Sequence, residues 1–267
     1  MPDYQYLHLR EDPGVVFCTL RNPPGHTLIA PELAELREVV DGLLARDDVR
    51  VVVFTGGGDD VFIAHYEVGE LAEASEGRQQ APGAEATELH GFHRFLLTLE
   101  SAPFVTVAAI NGNAAGGGFE FALGCDFRLQ KAGDYRLGLP ETNVGIIPGA
   151  GGTQRYARLL GTAKALELIL HGRLLDPAEA LSLGLVHRVV PAVEFEGEVA
   201  AFAGNLAGRA PVALAAAKRA IYQGSHLPLE QGLLVEQREF DRCMGTRDAA
   251  VAMRSWLEGK SWHWEGR

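Results

Sequence analysis

Three short runs rich in β-branched residues, 15–20 (VVFCTL), 49–54 (VRVVVF) and 104–110 (FVTVAAI), are bounded by Gly, Pro or charged clusters and read as buried strands. Between the first two lies 31–46 (PELAELREVVDGLLAR), with Pro31 at a permissible first helical position and Leu33, Leu36, Val40, Leu43 and Leu44 at helical spacing. Strands alternating with helices in this way constrain the chain to an α/β fold with mostly parallel strands.

The rest of the chain divides by character. After Ile110 a glycine-rich turn leads into a helix expected over 117–125, and 127–139 (FRLQKAGDYRLGL) holds two short strand-like pieces around Gly133 and Asp134. Residues 69–88 are poor in large apolar side chains and interrupted by Gly and Pro, which predicts a mobile loop or a frayed helix. From about 198 the pattern turns to long Ala-rich and charged helices, 211–223 (PVALAAAKRAIYQ) and 228–258 among them. The expected organisation is a core over 1–197 and a separate helical region over 198–267. There is no solenoid repeat.

Composition excludes several function classes. With 24 Lys+Arg against 35 Asp+Glu the formal charge is −11, which argues against nucleic acid or an anionic membrane as partner, because both select basic surface. Cys18, Cys125 and Cys243 are odd in number and widely spaced, so neither a disulfide framework nor a metal-binding pattern is expected, and a reducing cytoplasm is the expected location. The N-terminal MPDYQYLHLREDPG does not resemble a signal peptide, and no stretch approaches the roughly 20 apolar residues of a membrane helix.

Two segments carry candidate chemistry. In NGNAAGGGFEFALGCDFRL (111–129) a buried strand passes through three glycines into an apolar helix. The unpaired amides and positive dipole at such a helix start suit a negative oxygen, and Gly116 to Gly118 let a ligand approach the main chain. Glu120 is the one carboxylate in that turn; by itself it is equally well a charge that favours the helix dipole. In LPETNVGIIPGAGGTQRYARLLG (139–161), Glu141 follows Pro140 in a turn toward a second glycine-rich loop and a helix near Thr153. Alone it reads as a solvated turn residue. As a pair held close and tuned apart in pKa, the two suit acid–base work on one substrate. GAGGTQ (149–154) lacks the last glycine of GxGxxG and nothing fits GxxxxGK[ST], so nucleotide binding is not supported.

The string GGGFE with its small apolar helix and Cys-Asp (116–126), followed by LPETNVGIIPGAGGTQR (139–155), resembles the signature region of the enoyl-CoA hydratase/isomerase (crotonase-like) family in order and in the interval between the glutamates. Weaker likeness covers the rest: NPPGHTL (22–28) is similar to the turn that cradles the coenzyme A adenine, DDVFIAHYEVGEL (59–71) to the loop that supplies an oxyanion amide, and ALSLGL with VHRVVP (180–191) to the Ala-x-x-x-Gly-Leu-Val element. The resemblance implies an α/β spiral of repeated β-β-α turns with a C-terminal helical region, assembled as a homotrimer or dimer of trimers. It also implies an acyl-CoA substrate, with coenzyme A part of the substrate, no separate cofactor and no metal. The backbone N–H groups of Tyr66 and Gly117 would hold the thioester oxygen. Glu120 and Glu141 would hold a water, with Glu120 as base and Glu141 as proton donor, and Ala64, His65, Tyr66, Gly116, Gly117 and Gly149 would line the substrate. Hydration of a 2-enoyl-CoA is the first expectation; isomerisation, decarboxylation and a non-catalytic acyl-CoA or partner-binding role are the alternatives.

The chain departs from the family pattern in its oxyanion loop. Ala64, His65, Tyr66 and Glu67 stand where the family reads Ala or Ser, Gly, Ala or Gly, Asp. Tyr66 still has the main-chain N–H that the role requires. His65 replaces a glycine that can hold an unusual backbone angle, and the Tyr66 side chain is expected to pack outward against 69–88 or to shape the pocket. Gly25 and Gly69 stand where phosphate-gripping lysines are common, so the alternatives are a carrier bound differently, by Lys218 or Arg219 of the tail, or the phosphopantetheine arm of an acyl carrier protein. Ala249 and Ala250 replace a common Glu-Gly.

Overall fold

The computed structural model describes residues 4–80 and 87–267. Its three β-branched runs form neighbouring strands of one sheet, and shorter strands build a second. The six-stranded sheet contains β1 (Leu7–Asp12), β2 (Val15–Leu20), β3 (Val51–Gly56), β5 (Val105–Ile110), β7 (Phe127–Lys131) and β10 (Arg188–Val190) in the order β1-β2-β3-β5-β7-β10. Only β1 and β2 pair antiparallel; the other neighbours are parallel. The second sheet holds β4 (Val61–Ile63), β6 (Asn113–Ala115), β8 (Leu137–Gly138) and β9 (Leu174–Leu175) in that order.

Helices complete each turn. They are α1 (Ala30–Leu44), α2 (Val68–Gln80), α3 (Gly91–Ser101), α4 (Gly117–Leu123), α5 (Gly152–Leu160), α6 (Thr162–Leu170), α7 (Pro177–Ser182), α8 (Phe195–Ala207), α9 (Pro211–Gly224), α10 (Leu229–Met244) and α11 (Arg247–Leu257). The chain runs β3-β4 into α2 and α3, β5-β6 into α4, and β7-β8 toward α5, so each β-β-α turn adds one strand to each sheet. No single helix among the described residues is long and apolar enough to cross a membrane.

The strand period of two divides the core. Val16, Cys18, Val52, Phe54, Ala108 and Ile110 face α1, α3 and α4, while Val15, Phe17, Val51, Val53, Val105 and Val107 meet Phe195, Val199 and Ala203 of α8. Helix α8, which straddles position 198, therefore packs directly on the main sheet. Phe121 of α4 is wedged among Phe54, Phe62 and Phe95 at ring-centroid separations of 5.2, 6.0 and 5.9 Å. Losing such a buried ring costs about 3–5 kcal/mol. That wedge fixes the short helix carrying Glu120.

The turns between sheets are locked by asparagine. The Asn111 side chain accepts from the Gly56 N–H and donates to the carbonyls of Gly56 and Gly58, and Asn113 donates to the Asp60 carbonyl and accepts from the Arg136 N–H. Successive β-β corners are thereby held in register.

Of the two expectations for 69–88, loop or frayed helix, the described part is a helix through Gln80, and positions 81–86 lie outside the described residues. Its Ala, Glu and Gln residues favour helix even where few apolar groups anchor it. Val68, Leu71 and Ala74 line a cavity beneath it.

Candidate active site

The three glycines that cap and open α4 after β6 each sit at a different close approach. Gly116 has φ +50°, and a Cβ there would sit 3.2 Å from Oε1 of Glu141. At Gly117 it would fall 2.8 Å from the Cβ of Tyr66, and at Gly118 it would strike the Ile63 carbonyl at 2.2 Å. The strand–glycine–helix sequence thus brings β4, the 64–67 loop and Glu141 against one helix start.

Glu120 lies one turn into α4 and is 2% exposed. Its Oε1 accepts two main-chain bonds, from the N–H groups of Ala150 and Gly152, each at 2.7 Å. Gly151, with φ +101°, bends the 149–152 loop so that both amides reach one oxygen. Burial raises the pKa of this carboxyl, while the Gly152 and Ala150 amides and the Arg155 charge oppose it. Arg155 in turn donates to the Ala150 carbonyl at 3.0 Å and pairs with Glu100 at 2.6 Å, so the loop is held from behind.

Glu141 begins a 3₁₀ turn, Glu141–Val144, directly after Pro140. It is 9% exposed, and both carboxyl oxygens are buried with no donor among the described residues. Burial, with the nearby charge of Glu120, pushes its pKa up to about 7. Two carboxyls in one cavity thus differ in support: amides of two other residues favour the charged form of Glu120, whereas only Glu141's own main-chain N–H opposes the rise of its pKa.

The 64–67 loop, expected to supply an oxyanion amide, keeps regular backbone. Tyr66 forms a parallel bridge with Leu28, the Leu28 N–H donates to the His65 carbonyl at 2.8 Å, and the Glu67 N–H donates to the Leu28 carbonyl at 2.9 Å. Glu67 further accepts from the Thr27 hydroxyl at 2.8 Å. His65 does not require the angle that only glycine holds comfortably; among the described residues His26 is the only non-glycine with positive φ. The N–H groups of Tyr66 and Gly117 both lack an acceptor among the described residues. They lie side by side, since a Cβ on Gly117 would come within 3.3 Å of the Tyr66 nitrogen.

A cavity of about 620 Å³ opens onto these groups. Glu120, Glu141, His65, Tyr66, Gly116, Gly117 and Gly149 all line it. Ala64 does not: its N–H donates to the His26 carbonyl and its carbonyl accepts from the Ala115 N–H, so it supports the wall from behind. The Tyr66 side chain meets both expectations, lining the cavity while its hydroxyl donates to Glu70 of α2 at 2.7 Å. The tail cations are otherwise engaged. Lys218 is buried, paired with Asp126 at 2.8 Å and donating to the Leu99 and Phe104 carbonyls, and Arg219 pairs with Glu239, so neither is free to grip a phosphate.

A family model described as enoyl-CoA hydratase/isomerase matches residues 10–267. The chain belongs to the enoyl-CoA hydratase/isomerase family. A short-chain-enoyl-CoA hydratase of Clostridium acetobutylicum is 32% identical over 251 residues, covering 94% of each chain. A crotonyl-CoA hydratase of Syntrophomonas wolfei is 30% identical over 257 residues, covering 96% of each. The crystal structure of an enoyl-CoA hydratase from Bacillus anthracis superposes with a TM-score of 0.88 at 32% identity, covering 98% of this chain and all of the other. The protein is accordingly an enoyl-CoA hydratase or a close crotonase-family enzyme with the crotonase fold.

Within this family setting, three supporting residues escaped the sequence pattern. His90 caps α3 and bonds the Gly149 carbonyl, Glu70 ties Tyr66 to the start of α1, and Arg155 braces the loop that holds Glu120. Arg155 stood inside the recognised GGTQR string. The other two carry no local signal.

Proposed function

We propose that this family member is a hydratase that adds water reversibly across the 2,3 double bond of an acyl-CoA thioester, with coenzyme A as part of the substrate and no separate cofactor. The observation that carries this is the pair of buried carboxyls, Glu120 and Glu141, sharing one cavity with opposite hydrogen-bond support.

The Tyr66 and Gly117 N–H groups would receive the thioester oxygen. Glu120, favoured as a carboxylate by two amides, takes a proton from water, and the water oxygen bonds to C3. The double-bond electrons move toward the thioester oxygen, where the two N–H groups stabilise the developing charge. Glu141, protonated below its pKa of about 7, delivers a proton to C2. Net, one water is added. The reset is a proton passing from Glu120 back to Glu141. Hydratase names among relatives about 30% identical support the same choice.

The test is hydration of a panel of 2-enoyl-CoAs by purified protein, with Glu120→Gln and Glu141→Gln alongside. Each variant is expected to lose about 10²–10⁴ in turnover while still binding substrate. Full activity in both would overturn the assignment.

A further inference from the structure

Beyond the glutamates the cavity continues between α1, α2 and the start of α3. Its wall there is Leu33, Val68, Leu71, Ala74 and Phe92, with two cations set among them, Arg37 and Arg78. Arg37 is half-buried, one helical turn beyond Leu33. Its guanidinium rests on the main chain at Gly91, where a Cβ would fall 2.0 Å from Nη2, so the absence of a side chain is what admits it. That is the N-terminal end of α3, whose dipole disfavours a cation.

Neither arginine has an ion-pair or hydrogen-bond partner among the described residues. Glu70, the carboxylate in the same wall, is committed to the Tyr66 hydroxyl at 2.7 Å and to the Ala30 N–H at 3.2 Å. A half-buried guanidinium lacking an acceptor, placed against a helix end that repels it, does not stabilise the fold. Local choices that conflict with the fold's own energetics mark functional positions.

Tyr66 sets direction and reach. Its N–H lies beside Gly117, where the thioester oxygen would sit, and its ring runs past Phe92 at a centroid separation of 6.4 Å. At the far end its hydroxyl donates to Glu70, and Phe92 directly follows Gly91, where the Arg37 guanidinium rests. One tyrosine therefore spans the distance from the oxyanion site to Arg37, so a chain reaching between them is short.

We infer that the acyl group of the substrate ends in a carboxylate, making the substrate class short 2-enoyl-CoAs derived from dicarboxylic acids, with Arg37 pairing the distal carboxylate and Arg78 adding to the positive field. A guanidinium offers that carboxylate two parallel N–H donors in an otherwise apolar pocket. The inference rests on the assignment of this cavity to a 2-enoyl thioester.

The experiment compares two short 2-enoyl-CoAs of equal length, one ending in a methyl group and one in a carboxylate, on the wild-type protein, Arg37→Gln and Arg37→Lys. The wild type is expected to favour the carboxylate, and the ratio of the two kcat/KM values should fall about 10- to 100-fold in Arg37→Gln. Arg37→Lys, which keeps the charge without the fork, should fall between. A wild-type preference for the methyl substrate, or a ratio unmoved by Arg37→Gln, overturns the inference. The phosphates of coenzyme A are the other anions an arginine could meet, so the pair is repeated as pantetheine thioesters. Persistence of the ratio change there supports the acyl carboxylate; its disappearance assigns Arg37 to the phosphates and overturns it. Calorimetric binding of the matching saturated acyl-CoAs keeps the two claims separate. Absence of hydration with either substrate refutes the hydratase assignment, whereas a carboxylate preference in binding that Arg37→Gln abolishes still upholds the acyl class.

Discussion

His90 Nε2 lies 2.7 Å from the carbonyl oxygen of Gly149, while its Nδ1 accepts from the Phe92 N–H at 3.2 Å. The second bond fixes the tautomer: Nδ1 is bare, so Nε2 carries the hydrogen and donates to Gly149. The next residue, Ala150, supplies one of the two amides on Glu120, and Arg155 grips its carbonyl. His90 is thus a positioning residue for the proposed base, acting through one peptide unit. Replacing it with Ala should lower kcat about 10- to 100-fold with a smaller change in KM. Because the Ala150 and Gly152 amides hold the Glu120 pKa down against burial, loosening them should also move the acid limb of the kcat profile to higher pH. His90→Gln, which retains a donor, should recover part of both effects. An unshifted limb in His90→Ala would reduce His90 to a helix cap.

How much of this was legible in the sequence follows from the range of each interaction. The strands 15–20 and 104–110 and helix 31–46 announce themselves because their apolar spacing is local, and they appear within two residues of where the pattern puts them. Glu120 and Glu141 stand out in the sequence through neighbouring glycines, whose close approaches in the structure are to Tyr66, Ile63 and Glu141 itself. By contrast β4, β6 and β9 are two or three residues long, too short for alternation to register. Helix α2 reads from sequence only as a loop or a frayed helix because few apolar residues anchor it. His90 was invisible because its partner is a main-chain carbonyl 59 positions away. Lys218 looked free for the complementary reason: its partners Leu99, Phe104 and Asp126 are brought to it only by the fold.

Glu141 couples activity and stability in opposite directions. Burial raises its folded pKa to about 7, above the ordinary carboxylate value of 4.5. Between those values the unfolded chain releases a proton that the folded chain keeps. The carboxyl's effect on stability is therefore fully favourable below about 4.5 and is lost as pH rises toward 7. Glu141→Gln removes that dependence. At pH 8 it should be more stable than the wild type by about 1–3 kcal/mol, a gain that vanishes near pH 4, while hydration collapses. Chemical denaturation at the two pH values checks the stability; equal curves at both would contradict the burial of an ionisable group there. Wild-type kcat should also fall as pH rises through about 7, as the proton donor is lost.

The Lys218–Asp126 pair at 2.8 Å ties α9 to the core, with the same ammonium capping the Leu99 carbonyl at the end of α3. Removing one member leaves a buried charge uncompensated, so Lys218→Met should destabilise by about 3–5 kcal/mol. Lys218→Met with Asp126→Asn should cost less than the sum of the single changes. Thermal or urea unfolding of the four proteins measures this. Additivity would show that the pair is not coupled.

The tail helices leave large apolar side chains in water: Leu229, Leu233, Leu234, Phe240, Trp256 and Leu257 are each more than half exposed in the single chain. Apolar residues gathered on α10 and α11 at that exposure suit burial against further copies of the chain, as the family resemblance implied for a trimer or dimer of trimers. Light scattering at micromolar concentration is expected to give the mass of three or six chains, and charged substitutions at Leu233 and Leu234 together should shift it toward one. Because α10 packs on α9, and α9 holds Lys218, dissociation should also lower the unfolding temperature, making it depend on protein concentration. A wild-type monomer with a concentration-independent transition would overturn the assembly.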